Sequence, residues 1–459
     1  MAKEKNDNNE IAQQQSLAQK WGDPYIWGIY FMLLAISVVE SYSASSREIA
    51  ANGIYMPLIK QLILLSIGVG IVFFMYRFDY DKPAFLNLMI VGLAAFTLFT
   101  LVWVMFFGKT INGAQRAIYL PGFTIMPAEF AKLSVVTLLA YILARCQTGN
   151  GVSSNGTILA AIVVGLYGAL LIKNGVTNTI LLMSISVIML VIGGIKIKRL
   201  GLIFVIFIVC GGTFMLLKSS NDSKEENLKA AGQEVVLTDA DGHEVVVPPS
   251  AAEQEAVAPN WGRFSTFFAR IQRWRNSEDL IDQEIGGKNQ QEMFSRMAIA
   301  HGGVLGVGLG HSRECSRLPL AFSDYIFSII LEEGGLVLGL FVLLLYLWLL
   351  ARAAMIVQRS RRVLPALLII GMASMITMQA LFHMAINVGV FPVSGQPLPL
   401  ISKGGTSTLV ISIAFGVMLS VSRTIANYSN KTDKVETSTL PDGLDAENPS
   451  QVLPRHIWS

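Results

Sequence analysis

Ten runs of apolar residues, each about as long as a membrane span, dominate this sequence. A helix needs about 20 apolar residues to cross the hydrocarbon core, and only helices or closed barrels satisfy their backbone there. The runs are too continuous for barrel strands of about 10 alternating residues. We therefore predict an all-α polytopic membrane protein with ten transmembrane helices, at 25–45, 57–76, 84–107, 127–145, 156–172, 176–194, 200–218, 321–351, 363–388 and 405–425.

The composition supports this class and excludes others. Of the 459 residues, 53% are hydrophobic and 15% are charged, whereas a soluble globular protein carries about 25% charged residues. A net charge of +3 does not favour nucleic-acid binding. Three cysteines cannot form a disulfide framework. Because HExxH, CxxC and Walker A patterns do not occur in the sequence, the common zinc and nucleotide sites are not predicted.

The basic residues near the ends of the runs predict the orientation, because cytoplasmic loops carry an excess of Lys and Arg. Placing the N-terminus inside puts most of these residues in the cytoplasm. The short outer loops then keep few basic residues, namely Arg47, Lys109, Arg116, Lys173 and Lys403. Both termini are therefore predicted to be cytoplasmic, with one long extracytoplasmic loop between helices seven and eight.

This topology divides the chain into five parts. They are a cytoplasmic segment (1–24), helices one to seven (25–218), the long outer loop (219–320), helices eight to ten (321–425) and a disordered cytoplasmic tail (426–459).

The long outer loop itself has two parts. Residues 219–260 are predicted to be a mobile insert with a small hairpin, because two valine-rich runs flank Asp239-Ala-Asp-Gly-His. Residues 261–300 are predicted to be an amphipathic helical part, since apolar residues such as Trp261 and Phe264 recur at helical spacing. That helix lies in the membrane interface or packs on the ends of the spans, and the sequence leaves both open.

Several ionisable residues lie near or within the apolar runs, where they are expensive and mark function or a paired structural role. Glu129 and Lys132 share one face of the fourth helix and can pair. Glu332 and Glu333 lie well inside the predicted eighth helix, and with His383 and Asn387 we expect them to form a buried polar network.

Asp324 differs because it is the only carboxylate between Leu318 and Ile330, near the outer mouth of the eighth helix. It is either a charge that suits a helix N-terminus or a water-accessible catalytic group. Arg116 and Lys403 remain outside against the positive-inside bias, and such cations suit a phosphate or pyrophosphate. Glycines at Gly302, Gly303, Gly306, Gly308 and Gly310 are expected to let the backbone approach another backbone or a ligand closely.

Five separated motifs resemble the SEDS family (shape, elongation, division, sporulation). They are Tyr42-Ser-Ala-Ser, Asn112-Gly-Ala-Gln-Arg with Met126-Pro-Ala-Glu-Phe-Ala-Lys, Gly306-Val-Gly-Leu-Gly-His-Ser, Ala321-Phe-Ser-Asp-Tyr with Glu332-Glu-Gly-Gly, and Asn387-Val-Gly with Pro397-Leu-Pro-Leu-Ile-Ser-Lys-Gly-Gly. The resemblance runs from about residue 25 to 425. It is stronger to the FtsW branch than to the RodA branch.

The resemblance implies a peptidoglycan glycosyltransferase that polymerises lipid II at the outer face of the bacterial cytoplasmic (inner) membrane, with a class B penicillin-binding protein and other division proteins as partners. The aspartate that the family needs falls on Asp324, as the catalytic base. Arg116, Glu129 and Lys132 match further family residues. With Asn112, Ser402 and Lys403 from the same motifs, they form the predicted substrate-binding set. No cofactor is implied with certainty, although a divalent cation, Mg²⁺ or Mn²⁺, could replace side chains at the pyrophosphate.

The sequence departs from the family pattern at three places. An aspartate usual between helices five and six is missing from Lys173-Asn-Gly-Val-Thr-Asn-Thr, so its role cannot be carried over. Ser402-Lys stands for Ser-Tyr, and Phe322-Ser-Asp for His-Thr-Asp. Alternative functions are a lipid II flippase, an elongation-type RodA-like polymerase, and a scaffold that activates its penicillin-binding partner.

Overall fold

The structure is a computed structural model. It describes residues 20–44, 55–78, 83–107, 109–111, 114–120, 123–148, 151–172, 175–201, 236–238, 244–246, 270–272, 274–275, 290–318, 322–360 and 362–437. These residues are mostly helical, and they include 8 helices long and apolar enough to cross a membrane. A further apolar helix, Val176–Ile192, has 17 residues. The predicted seventh helix (200–218) falls almost entirely outside the described residues, so the number ten stays a prediction.

The apolar helices follow the predicted runs. They are α1 (Pro24–Ser43), α2 (Tyr55–Tyr76), α3 (Pro83–Phe107), α4 (Pro127–Arg145), α5 (Ser154–Ile172), α6 (Val176–Ile192), α8 (Ile326–Gln358), α9 (Val363–Asn387) and α10 (Gly405–Thr437), and α7 (Gln290–Gly302) is a less apolar helix of the long loop. Helices α1, α3 and α4 begin at proline, whose fixed φ and missing N–H suit the first turn.

Helices α4, α9 and α10 form the centre of the bundle and are mostly buried, while α2 and α3 lie at its periphery. Helix α9 packs against α4, α6, α8 and α10, whereas α2 packs mainly on α10. The interior therefore holds small and polar residues such as Ser134 and Ser374, and Leu88 and Phe107 face outward. This order follows from the solvent, because lipid offers apolar side chains an environment as favourable as the protein interior.

Helix α8 is broken at Gly335, where φ is 66° and ψ is −170°. The part after the break, residues 336–358, is about 35 Å long at 1.5 Å per residue, enough to cross the hydrocarbon core. The nine residues before it, 326–334, form a separate short segment. Glu332 and Glu333 lie within the candidate span Ile326–Gln358, as predicted, on the short segment before the glycine break.

The glycine-rich loop that follows α7 packs directly on this break. Four backbone hydrogen bonds join the two: Val307 N to Glu332 O (2.9 Å), Gly308 N to Glu333 O (2.9 Å), Leu336 N to Gly303 O (3.1 Å) and Val337 N to Val304 O (3.3 Å). A Cβ at Gly306 would lie 2.1 Å from the Glu333 carbonyl oxygen, so no side chain fits there. The expected close approach of backbone to backbone is confirmed.

A three-stranded antiparallel sheet follows α3, in the order β1 (Lys109–Ile111), β2 (Ala114–Leu120) and β3 (Phe123–Ile125). The all-α prediction was incomplete here. The sequence did carry a signal, because Asn112-Gly113 joins β1 to β2 and Asn-Gly is a preferred two-residue hairpin connection.

Two further strand pairs are short. Strands β4 (Gln147–Thr148) and β5 (Gly151–Val152) join α4 to α5. In the long loop, β6 (Val236–Thr238) pairs antiparallel with β7 (Glu244–Val246), as the predicted hairpin requires. Of the predicted amphipathic helical part (261–300), residues 261–269, 273 and 276–289 lie outside the described residues.

Helix α10 continues to Thr437 and so includes the first twelve residues, 426–437, of the predicted disordered tail. The reason is local, since no glycine or proline occurs between Gly416 and Pro441 to end the helix.

Candidate functional site

Three helix N-termini meet at one end of the bundle, which we call the Asp324 end. The start of α10 contacts the start of α4, because the Thr406 hydroxyl accepts a hydrogen bond from Met126 N at 3.2 Å. The residues just before α10 contact those just before α8, since Lys403 N donates to Phe322 O at 3.0 Å. Helix N-termini carry partial positive charge and unsatisfied N–H groups, so this end favours an anion.

Asp324 lies half-buried at this end, one residue before the N-cap of α8. The Ser323 hydroxyl donates to Asp324 Oδ1 at 3.1 Å, and the Asn387 amide donates to the Asp324 carbonyl oxygen at 3.1 Å. Gly395 faces the carboxylate, because a Cβ there would lie 3.1 Å from Asp324 Oδ2. Asn387 of α9 thus holds the Asp324 backbone, while Ser323 contacts the carboxylate and Gly395 leaves space for it.

Ser402 and Lys403 support the same segment from the other side. The buried Ser402 hydroxyl accepts from Leu398 N at 2.7 Å and donates to Ser323 O at 2.8 Å. Lys403 Nζ lies 5.2 Å from the centre of the Phe322 ring. The predicted residues Asp324, Ser402 and Lys403 are therefore brought together. Ser402 holds the segment before α8 through Ser323, and Lys403 places a cation beside Phe322 in the same segment.

Glu129 and Lys132 form the predicted pair, buried beneath this end. Lys132 Nζ donates to Glu129 Oε1 at 2.7 Å and to Gln379 Oε1 at 2.6 Å. The Gln379 amide reaches Pro397 O at 3.2 Å, and the Ser407 hydroxyl reaches Glu129 Oε2 at 3.4 Å. Lys132 is 1% exposed, so this network ties α4 to α9 and α10 without opening to solvent.

Two predicted substrate-binding residues are described only in part or not at all. Asn112 lies outside the described residues, and of Arg116 the structure gives the backbone, in the middle of β2. Strand β2 pairs with β3, which leads directly into α4. The strand that carries Arg116 is thereby tied to the Asp324 end.

The four polar residues expected to form one network divide into two. Glu332 accepts from Arg313 N at 2.9 Å and from the Ser312 hydroxyl at 2.5 Å, and Glu333 accepts from Gly310 N at 3.0 Å. These two carboxylates therefore anchor the glycine-rich loop.

The other two residues belong to the Asp324 end. Asn387 Oδ1 accepts from the Ser328 hydroxyl at 2.9 Å, and His383 Nδ1 lies 2.5 Å from Gln396 O. Both side chains are buried on α9. They fix the positions of the α8 start and of the loop after α9.

Sequence reasoning missed Gln379 and Tyr325. Gln379 had a usable signal, because an amide within an apolar span requires a partner. Tyr325 had a weaker one, since it follows Asp324 directly but does not interrupt the apolar pattern. Burial, then the negative charges of Asp324 and Glu292, raise the pKa of Tyr325 above its usual range.

Metal ligands do not cluster in the part of the chain that the structure describes. No group of three or more His, Cys, Asp or Glu side chains is arranged there to hold an ion. A resident metal held by protein ligands alone therefore does not fit these residues.

The comparisons with known proteins agree on one family. The family model for FtsW, RodA and SpoVE, described as cell cycle protein, matches residues 24–229 and 262–427. A probable peptidoglycan glycosyltransferase FtsW of Xanthomonas oryzae pv. oryzae is 28% identical over 443 residues, which are 95% of this chain and 79% of that protein. The protein of the same name from Enterococcus hirae is 27% identical over 89% of this chain and 94% of its own length.

Solved structures share the fold. A chain from a peptidoglycan synthase complex, described as coordinating polymerization and crosslinking, has a TM-score of 0.58 at 21% identity, covering 87% of this chain and 98% of that chain. Thermus thermophilus RodA has a TM-score of 0.55 at 19% identity, covering 87% and 95%. The order of the motifs and the geometry of the Asp324 end agree with this fold. Because the family model matches most of the chain, the chain belongs to the FtsW/RodA/SpoVE family of cell cycle proteins.

Proposed function

We propose that this chain is a peptidoglycan glycosyltransferase that polymerises lipid II, with Asp324 as its general base. The observation that carries the proposal is the placement of one half-buried carboxylate, Asp324, where three helix N-termini and Lys403 converge. A base beside an electropositive surface is what transfer from a pyrophosphate donor requires.

The chemistry is a single displacement. The 4-hydroxyl of the incoming lipid II sugar attacks the anomeric carbon of the growing glycan chain and gives its proton to Asp324. The new glycosidic C–O bond forms as the bond from the anomeric carbon to the polyprenyl pyrophosphate breaks. One base without a covalent intermediate suffices for an inverting reaction, and a positioned base contributes about 10²–10⁴-fold.

The leaving pyrophosphate needs positive charge close to its oxygens. We assign that role to Arg116, Lys403 and the converging helix N-termini, with Asn112 as a further substrate contact. Ser402 and the Glu129–Lys132 pair support these groups from within the protein, because their polar atoms are hydrogen-bonded to neighbouring residues. If a divalent cation takes part, Asp324 would be the protein group that holds it, and the ion would supply positive charge for the leaving pyrophosphate.

The setting follows from the family and the helices. The chain is a multi-pass membrane protein, and we assign it to the bacterial cytoplasmic (inner) membrane, with both termini cytoplasmic and the Asp324 end outside. A class B penicillin-binding protein is the proposed partner, together with other division proteins at the septum. Relatives named FtsW support the septal role over an elongation role.

The test uses purified chain and its class B partner in detergent, supplied with lipid II while transpeptidation is blocked. We expect glycan polymer, and none from the partner alone. A flippase or a scaffold makes no polymer in this format, because detergent removes the barrier that a flippase acts across. Depletion in cells then separates the two branches, since filaments indicate division and spheres indicate elongation.

A further inference from the structure

A pocket of about 120 Å³ opens beside Tyr325, the residue after Asp324, between α7, the end of α9 and the loop after α9. Its lining combines cations, a carboxylate and aromatic rings: Arg270, Trp274, Glu292, Arg296, Tyr325 and Phe391. Since one water needs about 10–15 Å³ of such a cavity, the pocket has room for about ten non-hydrogen atoms. That is the size of one sugar ring.

The Tyr325 hydroxyl is the unusual group in this pocket. The side chain is 1% exposed, and its hydroxyl has no hydrogen-bond partner within the described part of the chain. A buried hydroxyl without a partner is unfavourable. A ligand that fills the pocket would supply the missing partner.

The pocket is coupled to the proposed base. Tyr325 follows Asp324 in the chain, and Asn387, which also lines the pocket, donates from its amide to the Asp324 carbonyl oxygen at 3.1 Å. A ligand in the pocket therefore contacts two residues that adjoin Asp324, Tyr325 through the chain and Asn387 through a hydrogen bond to the Asp324 backbone. The sugar whose hydroxyl gives up its proton must occupy such a position.

The charges in the lining favour a sugar over a phosphate. Glu292 accepts a hydrogen bond from Arg296 at 2.8 Å, which offsets one of the two arginine charges. Its carboxylate repels a phosphate but accepts hydrogen bonds from sugar hydroxyls. Trp274 is 36% exposed and donates its indole N–H to Gly389 O at 2.7 Å, which holds the ring in place at the rim.

We propose that this pocket binds one sugar ring of the acceptor lipid II, with the Tyr325 hydroxyl as a direct ligand. The inference rests on the proposed function for the identity of the sugar. Tyr325 and Glu292 are binding residues here, and neither takes part in proton transfer.

The test measures equilibrium affinity of the full chain in detergent, without turnover. Three probes are used: lipid II, its soluble N-acetylated disaccharide, and inorganic pyrophosphate. Tyr325→Phe removes only the hydroxyl, so we expect affinity for lipid II and for the disaccharide to fall about 3–10-fold. Affinity for pyrophosphate should not change, and the thermal midpoint should not fall, because the lost hydroxyl had no partner.

Tyr167→Phe is the matched control. Its hydroxyl lies 2.9 Å from the Ser134 hydroxyl, away from the pocket, so the variant should lose thermal stability and keep all three affinities. Glu292→Gln gives a second variant on a partly exposed helix. A sugar pocket then loses disaccharide affinity, whereas a phosphate pocket gains pyrophosphate affinity because a repelling charge is gone.

Equal disaccharide affinity in the wild-type protein and both pocket variants would overturn the proposal, as would a change confined to pyrophosphate. Neither result bears on the reaction, which is judged by polymer formation with the partner present. Conversely, absence of polymer would remove the proposed function while the binding experiment still reports whether a sugar occupies the pocket.

Discussion

Two polar clusters near the same end of the bundle differ in how completely they are hydrogen-bonded. Around Lys132, the ammonium contacts Glu129 and Gln379, and both partners reach further side chains. Beside Asp324, the Tyr325 hydroxyl is buried without a partner among the described residues, and a pocket opens next to it.

The difference teaches how to separate structural from functional polar groups in a membrane bundle. In a closed network the polar groups are already hydrogen-bonded to the protein and do not bind a substrate. Substituting one of them should therefore lower the stability of the fold. An open cluster has polar groups that can still bind a substrate. Substituting one of them should impair binding or chemistry while the protein stays folded. Four predictions test this distinction, from the largest effect to the smallest.

Asp324→Asn should lower polymerisation about 10²–10⁴-fold, because it removes the base and keeps the side-chain shape. Expression, partner binding and thermal midpoint should stay near wild-type values. Polymer yield and unfolding are measured on the same preparation. If Asp324 is only a charge at a helix start, the cost is about 0.3–1 kcal/mol of stability with normal activity, and the open cluster loses its catalytic assignment.

Lys132→Ala should lower the free energy of unfolding by about 3–5 kcal/mol, because it strands the buried Glu129 carboxylate. The measurement is chemical or thermal unfolding in detergent. The double variant Glu129→Gln with Lys132→Met removes both charges and should recover most of the stability. A stable Lys132→Ala protein that cannot polymerise would instead make Lys132 a substrate ligand, against the comparison.

Arg352→Gln tests the opposite end of the bundle. Arg352 binds the Asp23 carboxylate with two nitrogens, at 3.0 and 2.7 Å, and Asp23 caps α1. We expect a loss of about 1.5–3 kcal/mol with unchanged polymerisation per folded molecule. Arg359→Gln, at an exposed position one turn beyond the last buried residues of α8, is the control and should change neither quantity.

Of the three variants expected to lose stability, Ser402→Ala should lose the least, about 0.5–1.5 kcal/mol for the lost hydrogen bonding. Because the same hydroxyl holds Ser323 O beside Asp324, polymerisation should also fall, by less than in Asp324→Asn. Ser184→Ala is matched to it, since that hydroxyl only reaches Ile180 O on its own helix. Equal activity in the two variants would separate Ser402 from the site.

The apolar helices could be predicted because run length and composition determine them, and lipid leaves few other structures for such runs. The Glu129–Lys132 pair could also be predicted, since its partners are three residues apart. Gln379 could not be assigned to that pair, because 247 positions separate it from Lys132. The break at Gly335 could not be predicted, because it depends on the loop that packs against it. The consecutive glycines Gly334 and Gly335 are equally compatible with close helix packing.

The sheet that carries Arg116 illustrates a different limit. The Asn-Gly turn residues are present in the sequence, but they are few beside the long apolar runs. The prediction therefore assigned only helices to this part of the chain. The Asp324 assignment came from its solitary position and from family resemblance, while the groups that hold it (Ser323, Asn387, Ser402) come from three separate parts of the chain.

The glycine-rich loop also constrains how the protein is made. A helix broken at Gly335 leaves backbone groups without intrahelical partners, and in an apolar environment each of them carries a penalty. The loop that supplies partners, residues 303–308, precedes the break by about 30 residues and is synthesised first. The segment can therefore dock as soon as the eighth apolar run emerges, and such a short closure costs little entropy. Membrane insertion of this run and folding of the loop before it become one cooperative event during translation.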